Sequence, residues 1–112
     1  MTGVGLGCAL LAMSGCKSKY VAATVHNGST ETVHVLEVDY PSASFGTETL
    51  APGADFHYRF KIQGDGNLKA SWTDAQQHEV VVNGPKLNEG DEGSVLVTLH
   101  DGTADWAVHV KP

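Results

Sequence analysis

Apolar and polar residues alternate with period two through most of this chain. The clearest case is Phe56-His57-Tyr58-Arg59-Phe60-Lys61-Ile62, in which four apolar side chains take one face and three basic ones the other. Tyr20–His26 alternates in the same way, with Val21, Ala23 and Val25 against Thr24 and His26. Leu68–Thr73 sets Leu68, Ala70 and Trp72 against Lys69, Ser71 and Thr73. Glu31–Tyr40 is apolar on both faces, which predicts either a central strand or a bulge that switches faces midway. Phe45–Leu50, His78–Val82, Ser94–His100 and Trp106–Val110 complete the set, with His78–Val82 the most peripheral.

The punctuation between these segments is turn chemistry. Asn27-Gly28 predicts a tight hairpin joining the first two strands, and Asn27-Gly28-Ser29, although also a glycosylation sequon, is read as that turn alone. Ala51-Pro52-Gly53-Ala54 predicts a type II turn, and residues 83–93 read as the longest irregular stretch. No helical period is present. Seven or eight short strands at near-regular spacing predict an antiparallel β-sandwich, Ig-like in the broad sense, with a small β-barrel as the alternative. The Cys–Trp–Cys signature of antibody domains is absent, so the description concerns architecture only. By parity Tyr58, Phe60 and Trp72 belong to the core, with Tyr20 and Trp106 near strand ends.

The first 16 residues follow a different pattern. Val4–Met13 is apolar and contains no charge, and at about ten residues it is half the length of a membrane-spanning helix. It ends in Leu10-Leu11-Ala12-Met13-Ser14-Gly15-Cys16, which resembles the lipobox of bacterial lipoproteins. The resemblance implies a signal peptide over residues 1–15, cleavage between Gly15 and Cys16, and acylation of Cys16 as the mature N-terminus. Residues 16–19 would then be the lipidated cysteine and a short linker, and residues 20–112 the sandwich. The resemblance also implies a cell-envelope lipoprotein facing the periplasm. Lys17, where inner-membrane retention usually requires aspartate, favours the outer membrane.

Composition narrows the chemistry. Removing the first 15 of 112 residues leaves 97, enough for one core. All 13 acidic and all seven basic residues follow Cys16, so the domain carries the whole formal charge of −6. That balance argues against nucleic acid and against direct adhesion to anionic headgroups. Cys8 would leave with the signal and Cys16 would carry lipid, so the domain has neither disulfide nor free thiol. Met1 and Met13 lie in the same segment, which removes thioether ligands and, with the thiol, a blue-copper centre.

Six histidines (His26, His34, His57, His78, His100 and His109) raise copper or zinc, but no His-x-His, His-x-x-x-His or Cys-x-x-Cys spacing occurs. Any site would be assembled across strands, with His34, His100 and His57 the candidates. His57 stands beside Arg59 and Lys61, which oppose a cation, and His34 and His100 read as partly buried, hydrogen-bonded residues. Asn88-Glu89-Gly90-Asp91-Glu92 offers oxygen ligands for calcium without the spacing that makes such a loop specific. There is no Gly-x-Ser-x-Gly elbow and no phosphate-cradling glycine loop before a helix. The expectation is a lipid-anchored, non-enzymatic envelope sandwich with no cofactor, binding a protein partner or serving a structural role. A periplasmic metal-handling lipoprotein using cross-strand histidines is the alternative.

The lipobox reading has a direct check in the mass of the mature chain. Expressed in a bacterial host, the wild type is expected to begin at Cys16 and to carry acyl mass. Cys16→Ala is expected to remain at full length without it, as read by mass spectrometry of the N-terminus.

Overall fold

The computed structural model describes residues 19–112. Gly15, Cys16 and the rest of the lipobox lie outside the described residues. Eight strands follow in order: β1 (Val21–Asn27), β2 (Val33–Tyr40), β3 (Ala43–Leu50), β4 (Asp55–Phe60), β5 (Gly66–Thr73), β6 (Glu79–Leu87), β7 (Glu92–Leu99) and β8 (Ala104–Lys111). They form two four-stranded sheets, sheet A in the order β4-β1-β7-β8 and sheet B in the order β3-β2-β5-β6. The sheets pack face to face as a β-sandwich, and no ladder closes them into a barrel. No helix forms among the described residues, so none is long and apolar enough to cross a membrane.

Alternating residues supply the core from both sheets. Val21, Val25, Val95, Val97 and Leu99 of sheet A meet Val33, Leu36, Val38, Leu68, Trp72 and Leu87 of sheet B, all nearly or fully excluded from solvent. Burying each such side chain contributes roughly 1.5–3 kcal/mol, and in a domain without disulfides this is the main stabilising term. Within this frame β2 makes the expected switch of faces. His34 pairs with Thr73 but Glu37 with Ser71, so β2 carries one residue more than its partner. Val35 is pushed out at φ 51° and is 67% exposed, which lets Val33 and Leu36 both point inward.

Asn27-Gly28 does not form the expected hairpin. β1 and β2 lie in different sheets, and neither Asn27 nor Gly28 adopts a positive φ. Asn27 is instead fully buried. Its Nδ2 donates to the carbonyls of Glu31 (2.8 Å) and Leu50 (2.9 Å), and its Oδ1 accepts from the Ser29 amide (3.0 Å) and Ser29 Oγ (2.7 Å). Its backbone NH donates to the Ala54 carbonyl (3.0 Å), and its carbonyl accepts from Gly53 N (2.7 Å). This one residue therefore fastens the end of β1 to both connections that cross between the sheets at that end. The type II turn is as expected, with Ala54 N donating to the Ala51 carbonyl (3.0 Å) and Gly53 at φ 78°.

Two further expectations are corrected. Most of the stretch 83–93 is strand, since β6 runs on to Leu87 through a bulge at Gly84-Pro85, where the register shifts between Asn67 and Lys69. Proline is tolerated there because β6 is an edge strand. Gly84 is required because a Cβ would stand 2.8 Å from the Trp106 ring, which lies over it from β8. Tyr58 has the inward parity expected of it but is 41% exposed, because β4 is an edge and its inner face is only partly covered. It stacks on Phe45 (centroids 4.6 Å apart) beside the Tyr40–Phe60 pair (4.1 Å), closing that side of the sandwich with aromatic rings.

Removing the Asn27 side chain strands two carbonyls and the Ser29 amide. Asn27→Ala is expected to cost roughly 2–4 kcal/mol in urea denaturation. Asn27→Asp, which sets a carboxylate oxygen against those carbonyls, should cost at least as much at neutral pH.

Candidate functional site

Strand directions sort the connections into two ends. Because β1 runs parallel to β7 and antiparallel to β4, the start of β1 lies at the same end as the close of β8. The connections after β2, β4 and β6 share that end. The connections after β1, β3, β5 and β7 gather at the other, and there those after β1, β5 and β7 line a pocket of about 330 Å³. Its walls are residues 29–33, 74–76 and 100–102, with Trp72 beneath them. The volume falls at the lower limit of pockets that hold small ligands, about 300–1,000 Å³.

The walls are held by their own hydrogen bonds. Ser29 is fixed by Asn27. Asp74 Oδ1 accepts from the amides of Gln76 and His78 (both 2.9 Å), and Gln77 takes φ 69° to complete the turn. The His100 amide donates to the Thr103 carbonyl (2.8 Å), and its Nε2 lies 2.9 Å from Asp105 Oδ2. Glu31, Asp74 and Asp101 give the pocket an acidic rim. Such a rim accepts hydrogen bonds from amides, hydroxyls and ammonium groups and repels anions.

The histidine candidates are distributed rather than gathered. His57, on β4, hydrogen-bonds Thr24 Oγ1 through Nδ1 (3.1 Å), and His26 Nδ1 lies 2.6 Å from Asp55 Oδ1. His100 is half-buried beside Asp105 as expected, but His34 is exposed on β2 next to the bulge. Among the described residues no three His, Cys, Asp or Glu side chains converge as metal ligands, and no hydrogen bond joins the His26–Asp55 pair to the His57–Thr24 pair. In the acidic loop 88–92 one carboxylate is turned on the backbone, and a second reaches the loop from the β4–β5 connection. Asp91, 6% exposed, accepts from the Asn88 amide (2.9 Å), and Asp65 accepts from the Glu89 amide (2.8 Å). These carboxylates hold the turn between β6 and β7.

The outer face of sheet B is acidic, carrying Glu37, Asp39, Glu48 and Glu79, with Lys69 Nζ 3.6 Å from Asp39. The Asp39 carboxylate hydrogen-bonds and repels Glu37, and so raises its pKa above the ordinary 4.5, an effect Lys69 partly offsets. Burial pushes the Tyr40 hydroxyl up, with Tyr58 adding to it.

No known family profile matches this chain. No curated protein matches it either. Among solved structures, an NMR structure of a protein from Eubacterium rectale is similar, with a TM-score of 0.62 at 8% identity, covering 80% of this chain and 88% of that one. At that identity the likeness shows the fold alone.

The raised Glu37 pKa sets a sign for stability. The folded chain holds this proton more tightly than the unfolded one, so the contribution present at low pH is lost as pH rises from 4.5 through the raised value. Glu37→Gln is expected to remove that loss. Its melting temperature relative to wild type should climb across the same window, as measured by thermal denaturation at a series of pH values.

Proposed function

We propose that this chain is a lipid-anchored, non-enzymatic β-sandwich of the bacterial envelope that holds a protein partner in the pocket opposite its anchor. One observation carries the reading: β1 begins at one end of the sandwich, and the pocket opens at the other. A chain tethered through Cys16, with Lys17-Ser18-Lys19 as linker, would hold its proximal end against the membrane and direct the pocket outward. The acidic rim suits a partner segment that offers backbone amides, hydroxyls or basic side chains, with Trp72 as an apolar floor. Of the histidine–carboxylate pairs, His26–Asp55 is a cross-strand contact on the outer face of sheet A, whereas His100, paired with Asp105, and Asp74, paired with His78, stand in the pocket wall and add polar groups for a partner to meet. Outer membrane rather than inner is the anchoring site that Lys17 favours.

The test uses the scarcity of sulfur in the domain. With Cys16 acylated, Gln76→Cys at the pocket rim is the one free thiol of the mature chain, and Gln63→Cys places one at the proximal end. In intact cells a thiol-directed crosslinker is expected to give a discrete protein adduct from position 76, lost on adding Glu31→Lys, and none from position 63. Absence of an adduct from position 76, or an adduct indifferent to Glu31→Lys, would overturn the reading.

A further inference from the structure

The formal charge of −6 conceals a segregation of charge. Four of the six described Lys and Arg residues, namely Lys19, Arg59, Lys61 and Lys111, stand at the proximal end of sheet A. On its outer face Arg59 pairs with Ala22, Ala22 with Ser94 and Ser94 with His109, while Lys111 pairs with Glu92 in the adjoining row. The Arg59 guanidinium carbon lies 4.7 Å from the centroid of the Tyr20 ring, and Lys61 Nζ lies 5.9 Å from it. That ring remains 38% exposed. Glu92 shares this half of the face, and Asp65, Glu89 and the buried Asp91 stand on the adjoining connections, with Asp65 and Asp91 turned on the backbone amides of Glu89 and Asn88. Asp55 and Asp105 lie at the distal end, matched by His26 and His100. Lys69 and Lys86 belong to sheet B.

We infer that the proximal outer face of sheet A is a docking surface for anionic lipid headgroups. Net charge alone disfavours such adhesion, but attraction to a charged surface decays over a Debye length of about 8 Å at physiological salt, so local charge decides the outcome. Tyr20 follows Cys16 by four residues, a reach of at most about 14 Å, which holds the end of the domain that carries this patch beside the membrane. Basic residues near an anionic leaflet each strengthen binding about fivefold. A tyrosine with an apolar ring and polar tip suits the headgroup layer. Docking through the outer face of sheet A turns the acidic face of sheet B, on the opposite side of the sandwich, away from the membrane. The inference rests on the proposed anchoring only for the presence of a membrane at this end.

The test separates the two. The full chain carrying Cys16→Ala, which cannot be acylated, is floated with vesicles of phosphatidylcholine and with vesicles of equal parts phosphatidylcholine and phosphatidylglycerol. Preferential binding to the anionic vesicles is expected. It should weaken as salt is added and fall at least about 25-fold in Arg59→Glu/Lys61→Glu. Lys69→Glu/Lys86→Glu on the opposite sheet should leave it within about twofold, because those cations face away from the vesicle. Should the first pair disturb folding by circular dichroism, Lys111→Glu at the exposed end of β8 decides, with a loss of about fivefold. Equal binding to both vesicle types, or equal losses from the two sheets, would overturn the docking surface and leave the anchor standing. Failure to find acyl mass on Cys16 would do the reverse.

Discussion

The buried amide of Asn27 is the constraint on which the sandwich depends. A side chain with two donors and one acceptor has been taken fully out of water, and it is accommodated only because Glu31, Leu50 and Ser29 supply its partners. Those residues lie on the β1–β2 connection and at the end of β3, and the backbone of Asn27 adds Gly53 and Ala54 of the β3–β4 turn. Two sheets that share no ladder are thereby fixed to each other at one end by hydrogen bonds of defined direction, where apolar contact alone would tolerate sliding. The pocket inherits its shape from this, since Ser29 and Glu31 form one of its walls.

What the sequence could disclose divides along local and non-local lines. The strict alternation of Phe56–Ile62, the Pro52-Gly53 turn and the crowding of apolar residues in β2 are properties of a few neighbouring residues, and each has its expected counterpart in the fold. Asn27-Gly28 is equally local as a turn signal, but no dipeptide specifies whether the next strand joins the same sheet or the opposite one. Gly84-Pro85 reads as a loop because its reason for being there, the Trp106 ring, lies on a strand some twenty residues further on. Parity assigned Tyr58 to the inner face correctly and overstated its burial, because parity carries no information about which strand is an edge. The pocket was illegible for the same reason: its walls come from three separate connections.

Charge behaves likewise. A single total of −6 averages an acidic sheet and a partly basic one, and only strand pairing shows which residues share a face. The sheet arrangement sends Glu37, Asp39, Glu48 and Glu79 to one side and Arg59, Lys61 and Lys111 to the other. A domain of this size has two broad faces and two ends, and here each end and each face has a distinct chemical character.

The parallel pairing of β1 with β7 bears on how the chain reaches this state. All other ladders are antiparallel, but β1 sits in the middle of sheet A with Val21 opposite Gly93, 72 residues later. A strand whose central ladder requires so distant a partner stays half-paired until nearly the whole domain has been made. Closing a loop of that length has an entropic cost that local contacts do not offset, which places this fold among the slower folders for its size. β1 emerges before the other seven described strands yet is among the last to be completed, and until then its open edge is exposed to misassembly.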